Sequence, residues 1–175
     1  MYFIKIPCMN KAVEEEFLKM LTSHKLIIYK ITNIYCDTSD EKHDLMQEIV
    51  ISCWKAYPHY RNESKISTWI YKIALNTAIT NYRKSRRRIR ISPLNDQTFN
   101  QMTEHLTVDP EEEIKMLYLA ISKLLPVDKA IILLYLEERT YQEIAEITGI
   151  TVGNAGMRIK RAKEKLINII TKLNK

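Results

Sequence analysis

Residues 140–166 read TYQEIAEITGITVGNAGMRIKRAKEKL, and this stretch carries the strongest local pattern in the chain. Thr140 and Glu143 have the spacing of a capping box, so a short helix is predicted to begin directly after Thr140. Gly149 can adopt the left-handed backbone conformation that a tight turn requires. A longer amphipathic helix is predicted over residues 153–173. A short helix, a tight turn and a longer helix together indicate a helix-turn-helix unit.

The second helix of this unit is rich in basic residues. Its exposed face can contact phosphates, while the residues at its N-terminal end can reach base edges in the major groove. The alternative is an ordinary helical hairpin with a solvated basic face, but the small Ala145 at the expected helix crossing, the capping box and the glycine favour DNA binding. The basic residues are Arg158, Lys160, Arg161, Lys163 and Lys165.

Two more helices are predicted upstream of the helix-turn-helix. Asp109 is placed to cap the first of them, Pro110 occupies its first helical position, and Glu112 has capping-box spacing. Pro126 begins the second helix, and the apolar run at 130–136 is predicted to lie at the centre of the core. These helices and the helix-turn-helix form one block, residues 111–175.

The first block, residues 11–88, is also predicted to be helical. One or two amphipathic helices are followed by a helix from Glu41 to Tyr57, which Pro58 ends. A loop precedes a long helix that begins near Lys65. The inner face of the long helix is predicted to hold Ile66, Trp69, Ile70, Ile73 and Thr77, and its outer face Thr68, Lys72, Asn76 and Arg83.

A basic run, RKSRRRIR over residues 83–90, ends the long helix. Such a run is often only a solvated helix end, but here it extends a polar helix face along which a DNA duplex could lie. Binding to phosphates would then weaken with salt by roughly 0.9 log units per log unit of salt for each phosphate contacted.

The loop before the long helix is flanked by aromatic side chains, namely Tyr57, His59, Tyr60 and Trp69. Aromatic side chains beside cations are suited to stacking of single-stranded bases. Trp69 lies on the apolar face of the long helix and fits the core better, so Tyr60 and His59 are the better candidates for the solvent-exposed side.

The sequence therefore predicts an all-α chain of two small helical domains. A flexible linker, residues 89–110, joins them because this segment is polar and lacks periodicity. Residues 1–10 form an N-terminal extension. A linker of this length is compatible with packed and with separated domains.

Composition narrows the possible functions. The net charge is +6 and the pI about 9.1, which suggests a polyanionic partner. Cys8, Cys36 and Cys53 are far apart and the four His are dispersed, so neither a metal site, a disulfide framework nor a cofactor is expected. No signal peptide or membrane-spanning stretch is expected either, which favours a cytoplasmic protein that does not insert into membranes.

Two segments resemble a known family. DLMQEIVISCW (44–54), followed by YRNESKISTWIYKIALNTAITNYRKSRRR (60–88), is similar to the second conserved region of sigma-70 family factors. The C-terminal block is similar to their fourth region. Because the chain has no room for the third region, it resembles the extracytoplasmic function (ECF) group. The resemblance implies an alternative sigma factor, which is not an enzyme and has no small-molecule substrate.

The resemblance also implies roles for individual residues. Core RNA polymerase would bind Asp44, Gln47 and Glu48. The −10 element, as duplex and as melted non-template strand, would contact Tyr60, Arg61, Asn62, Ser64, Ser67, Thr68, Lys72, Asn76, Arg83, Arg86 and Arg87. The −35 element would contact Asn154, Ala155, Met157, Arg158, Lys160 and Arg161. An anti-sigma factor is a further expected partner.

The chain departs from the family pattern at several positions. Val50 stands where Phe is common, and Asn62 where Gly often follows the loop aromatic and basic residues. The usual Thr-Val-Lys-Ser start of the recognition helix is Asn-Ala-Gly-Met over residues 154–157. Gly156 removes a side chain and lowers helix stability by about 1 kcal/mol. The base preference at the −35 element therefore cannot be carried over from the family.

Two other functions fit parts of the sequence less well. A stand-alone helix-turn-helix regulator would have an N-terminal domain for a partner or ligand, but it would not need the DLMQE helix together with the basic helix. An enzyme that uses the Cys and His residues is disfavoured because these residues are scattered along the chain. The N-terminal block thus separates a sigma factor from an ordinary regulator.

Overall fold

The computed structural model describes the backbone of residues 11–91 and 110–173, and the side chains of residues 11–86 and 114–173. Within these ranges the chain is helical, as predicted, and contains no β-strand. The helices are α1 (Lys11–Ser23), α2 (Lys25–Tyr35), α3 (Ser39–Ala56), α4 (Ile66–Ile91), α5 (Pro110–Ser122), α6 (Pro126–Leu136), α7 (Tyr141–Thr148) and α8 (Val152–Leu173). A 3₁₀ turn, Tyr57–His59, follows α3.

Helices α1 to α4 form the N-terminal domain. The inner faces of α2, α3 and α4 pack against one another around Ile31, Ile49 and Ile70, which are fully buried. Phe17 of α1 closes this core, and its ring meets the edge of Trp54 with the ring centroids 4.9 Å apart. Aromatic and β-branched side chains at helical spacing therefore account for this bundle.

Helices α5 to α8 form the C-terminal domain. The run 130–134 in α6 is buried on every side, as its continuous apolar sequence predicted. Ile121, Ile144 and Ile159 complete the core from α5, α7 and α8. This core holds the two helices of the helix-turn-helix in a fixed relation to α6.

The two domains pack against each other, and polar groups join them. The hydroxyl of Tyr35 donates a hydrogen bond to the carbonyl of Pro126 at 2.5 Å. The ammonium of Lys129 donates to the carbonyl of Ile34 at 3.2 Å and is buried, so desolvation lowers the pKa of Lys129. Lys30 and Glu137 form an ion pair across the same boundary. The closed arrangement is thus one of the two that the linker length allowed.

Some element boundaries differ from the predictions. Helix α3 begins at Ser39 rather than at Glu41, because Thr38 and Glu41 form a capping box. Helix α4 continues to Ile91, which is inside the predicted linker. Trp69 is only partly buried, since it also lines a surface recess.

Several predictions fall outside the described residues. These are the extension 1–10 with Cys8, the cap at Asp109, and most of the linker. The side chains of Arg87 and Glu112 also fall outside them, although the backbone of both residues is helical.

Candidate nucleic-acid interface

The helix-turn-helix has the local geometry that its sequence predicted. The backbone N–H of Glu143 donates to the Thr140 hydroxyl at 3.2 Å, and the N–H of Thr140 donates to the Glu143 carboxylate at 2.9 Å. This backbone N–H of Thr140 is the main reason why the pKa of Glu143 is lowered from its usual value. Gly149 ends α7 with φ of 71°, in the left-handed region, and donates its N–H to the carbonyl of Ala145.

The recognition helix α8 exposes most of the residues that the sequence predicted to contact DNA. Asn154, Met157, Lys160 and Arg161 are exposed, and Met157 has 57% of its surface accessible. Ala155 is the exception: its side chain is 0% exposed, on a helix that packs against α5, α6 and α7. The prediction that Ala155 contacts DNA is therefore wrong for this structure, and its small size serves helix packing instead.

Arg158 is engaged inside the domain. Its guanidinium donates to the carboxylate of Asp128 at 3.4 Å, and the ammonium of Lys165 donates to the same carboxylate at 3.2 Å. Asp128 is buried in α6, so these two ion pairs fix α8 on α6. No local pattern predicts this role, because Asp128 lies about thirty residues before Arg158 in the chain.

The loop before α4 forms a recess with aromatic and cationic walls. The hydroxyl of Tyr60 donates to the carbonyl of Ser64 at 2.7 Å and closes the loop. The rings of Tyr60 and Trp69 lie 5.1 Å apart. Asn62 has φ of 57°, and since Asn tolerates the left-handed region, it fits where the family often has Gly.

The recess has a volume of about 360 Å³ and brings together residues from both domains. Tyr60, Arg61, Ser64 and Lys72 were predicted to contact DNA, and all four line it. Glu146 of α7 also lines it, which sequence reasoning did not find. The recess can accept a base stacked on an aromatic ring with a phosphate near its cations, but the carboxylate of Glu146 from the C-terminal domain also lines it.

The outer face of α4 is exposed at Lys72, Asn76, Arg83 and Arg86. These residues follow one another along one side of the helix, as predicted. Ser67 and Thr68 differ, because the Ser67 hydroxyl accepts a hydrogen bond from Arg139 at 3.3 Å and Thr68 is only 3% exposed. In this closed arrangement Thr68 is not free to contact DNA, contrary to the prediction.

Asp44, Gln47 and Glu48 are exposed together on α3. Leu45 and Ile49 hold the opposite face of the helix in the core, which sets the orientation of the polar face. The structure thus offers a polar surface on the side of the N-terminal domain where the sequence predicted one.

The described cysteines and the described candidate metal ligands can be assessed from their surroundings. Burial raises the pKa of Cys36 to about 11 and of Cys53 to about 12, so both thiols stay protonated near neutral pH. No cluster of three or more His, Cys, Asp or Glu side chains in the described part of the chain could hold a metal ion. None of the described helices is both long and apolar enough to span a membrane.

Family models match both domains. The model for sigma-70 region 2 matches residues 20–88, and the model for sigma-70 region 4 matches residues 114–166. The two regions, in this order and each on its own helical domain, define the class of sigma-70 proteins.

Similar proteins agree with these matches. The RNA polymerase sigma factor SigV of Bacillus subtilis is 32% identical over 155 residues, which cover 87% of this chain and 89% of that protein. The ECF RNA polymerase sigma-E factor of Haemophilus influenzae is 34% identical over 145 residues, with 74% of this chain and 75% of that protein covered. The chain therefore belongs to the sigma-70 family of RNA polymerase sigma factors, in its ECF group.

Solved structures share the fold. The sigma factor RpoE in complex with the anti-sigma factor NepR, from Bartonella quintana, has a TM-score of 0.65 and 19% identity, with 93% of this chain and 98% of that chain covered. CnrH in complex with the cytosolic domain of CnrY also has a TM-score of 0.65 and 19% identity, with 91% and 90% covered. At this identity the likeness concerns the fold.

Proposed function

We propose that this chain is an alternative sigma factor that binds core RNA polymerase and directs transcription initiation at specific promoters. The observation that carries the proposal is the presence of both sigma-70 regions in one chain, with a helix-turn-helix whose basic face is exposed. A stand-alone regulator would explain the second domain but not the first. The chain acts as a specificity subunit in the cytoplasm, not as an enzyme.

In this proposal each domain recognises one promoter element. Asn154, Met157, Lys160 and Arg161 enter the major groove of the −35 element, and their exposure at the start of α8 supports this. The aromatic recess and the exposed side of α4 bind the −10 element. Bases that leave the duplex stack on Tyr60, and binding of these bases supplies the free energy of melting.

Asp44, Gln47 and Glu48 of α3 bind the core polymerase. Their exposure on one helix face supports a polar protein interface. The domain boundaries follow the same division: residues 11–88 bind core polymerase and the −10 element, and residues 111–175 bind the −35 element. An anti-sigma factor is the expected antagonist, since the two solved structures of similar fold contain sigma factors with such partners or with a cytosolic partner domain.

Run-off transcription tests the proposal. Purified chain and core polymerase are incubated with genomic fragments, and the transcript starts are mapped. We expect discrete starts that require the chain. A matched variant, Gln47→Ala with Glu48→Ala, should keep the helical circular dichroism spectrum and lose co-elution with core polymerase. Absence of both specific starts and core binding for the unaltered chain would refute the proposed function.

A further inference from the structure

The basic side chains of the recognition helix α8 differ in what holds them. The guanidinium of Arg158 donates to one carboxylate oxygen of Asp128 at 3.4 Å, and the ammonium of Lys165 donates to the other oxygen at 3.2 Å. Lys163 donates to the hydroxyl of Tyr135 at 3.4 Å and lies 5.0 Å from the centroid of that ring. Three of the basic side chains are therefore bound to groups of α6.

Lys160 and Arg161 are the other two basic residues between positions 158 and 165. Both are exposed, and within residues 11–86 and 114–173 neither forms an ion pair with an acidic side chain. Lys163 also keeps its full charge, because a phenol is a neutral partner. Only the charges of Arg158 and Lys165 are balanced inside the domain, and one carboxylate balances both.

The position of Asp128 explains why it retains these cations. Its side chain is 10% exposed, whereas the side chains of Arg158 and Lys165 are 40% and 51% exposed. Asp128 lies in the first turn of α6, where the helix dipole favours a negative charge. A carboxylate that water hardly reaches needs bound cations, because a buried unpaired charge is costly.

This pairing limits what the two cations can do at DNA. Sequence-independent affinity for DNA depends on how many phosphates the protein neutralises. Arg158 or Lys165 can neutralise a phosphate only by leaving Asp128, and that step exposes the cost of a poorly paired carboxylate in the interior. Lys160 and Arg161 have no such partner to leave, so they can bind phosphates freely.

We infer that Asp128 is a specificity-determining residue, which keeps Arg158 and Lys165 away from DNA phosphates and so limits sequence-independent binding by α8. This role rests on the proposed function, because it takes α8 to be the helix that enters the major groove. Phosphate contacts carry no sequence information, whereas contacts to base edges do. A recognition helix with fewer phosphate contacts has a larger ratio of promoter affinity to affinity for other DNA.

The test uses the full chain with Asp128→Asn. The amide has the shape of the carboxylate and keeps an oxygen acceptor, and both cations already reach solvent, so the change removes charge balance rather than packing. Glu138→Gln is the matched control, because Glu138 is exposed beyond the other end of α6 and the charge change is the same. The affinity for a fluorescein-labelled duplex of mixed sequence is measured by anisotropy over a series of salt concentrations, and circular dichroism reports the helix content.

We expect Asp128→Asn to steepen the dependence of log affinity on log salt by about 0.9 for each released cation, or about 1.8 for both. Glu138→Gln should leave this slope unchanged. Adding Arg158→Gln and Lys165→Gln to Asp128→Asn should restore the original slope, because the released cations are then absent. A purely structural role of Asp128 would lower the helix content or the affinity without steepening the slope.

A second comparison leaves Asp128 in place. Lys165→Gln should keep the slope of the unaltered chain, because Arg158 remains paired with Asp128. Lys160→Gln, a matched change five residues earlier on the same helix, should make the slope shallower by about 0.9. Equal losses for the two lysines would overturn the inference, even if Asp128→Asn failed to fold.

The remaining outcomes separate this inference from the proposed function. A shallower slope for folded Asp128→Asn would mean that Asp128 directs Arg158 toward DNA, and an unchanged slope would mean that the pairing has no effect on phosphate binding; either result overturns the inference while transcription stays normal. The ratio of affinities for a fragment that supports run-off transcription and for the mixed duplex should fall in Asp128→Asn, and a constant ratio would also overturn it. If the unaltered chain neither binds duplex DNA nor supports transcription with core polymerase, the proposed function is wrong and the role of Asp128 falls with it.

Discussion

The two proposed DNA surfaces of this protein differ in their exposure to solvent when the two domains are packed together. The recognition helix α8 presents Asn154, Met157, Lys160 and Arg161 to solvent. At the start of α4, in contrast, Ser67 is hydrogen-bonded to Arg139 and Thr68 is buried. One fold thus keeps a surface for duplex DNA open while it covers part of a surface for an unpaired strand. The difference indicates that access to the strand surface depends on the relative position of the domains.

The largest expected effect concerns the open surface. Lys160→Glu with Arg161→Glu should reduce binding to −35 duplex DNA by at least about 1–3 kcal/mol per residue, because attraction to phosphates and bases becomes repulsion. Electrophoretic mobility shift with a −35 duplex measures this. Lys172→Glu, near the exposed end of the same helix, is the control and should have a much smaller effect. Near-normal binding by the double variant would remove α8 from the DNA interface.

The second prediction tests whether that open surface depends on close packing beneath it. Ala155→Leu should lower the free energy of unfolding by about 1–3 kcal/mol, because the side chain is fully buried and a larger one would overpack the core. Urea denaturation measures the change. Gly156→Ala is the control next to it, since a Cβ there would lie 3.5 Å from the Tyr141 ring, an ordinary contact distance. This variant should be neutral or more stable by up to about 1 kcal/mol. A tolerated Leu at 155 would contradict the packing role.

The third prediction concerns the covered surface. Asn62→Val should destabilise the loop by roughly 1–2 kcal/mol, because a β-branched residue does not tolerate φ of 57°. Asn62→Gly should keep the loop and its strand affinity. Thermal unfolding and the affinity for a fluorescein-labelled single DNA strand, measured by anisotropy, distinguish the two variants. Equal behaviour of Val and Gly would mean that the positive φ at this position has no energetic consequence.

The smallest expected effect is at the cap of α7, which lies between the two surfaces. The pKa of Glu143 is lowered in the folded protein, so its charge adds stability above its usual pKa of 4.5, and this stability is lost as pH falls through the folded value. Glu143→Gln should therefore cost about 0.3–1 kcal/mol at neutral pH. The difference from the unaltered protein should shrink in acid. A difference that is constant with pH would exclude the charge as its cause.

Much of the fold could be predicted from local signals. The capping box at Thr140, the turn at Gly149 and the start of α6 at Pro126 depend on residues within one helical turn of each other, so their spacing in the sequence is their spacing in space. The capping box of Thr38 and Glu41 has the same spacing and sets the start of α3 at Ser39. Periodicity separated the inner and outer faces of α3 and α4 for the same reason.

The candidate sites were predicted less completely. Arg158 has the position of a DNA contact in the helix-turn-helix pattern, yet it pairs with Asp128 of another helix. Ala155 has the position of an exposed residue but is fully buried. Both outcomes depend on how α8 packs against the other helices of its domain. Helical periodicity identifies the residues on one face of a helix, but it does not show which other helix covers that face.

The helices, their caps, the two domains and the family can be predicted from the amino-acid sequence, because each follows from short-range spacing or from motifs in order along the chain. Three features depend on the tertiary structure: the domains pack together, Lys129 is buried against the N-terminal domain, and Glu146 lines the recess beside Lys72. These contacts join residues that are more than seventy positions apart in sequence. No local pattern specifies such pairs, because they depend on which faces remain to be covered once each domain has folded.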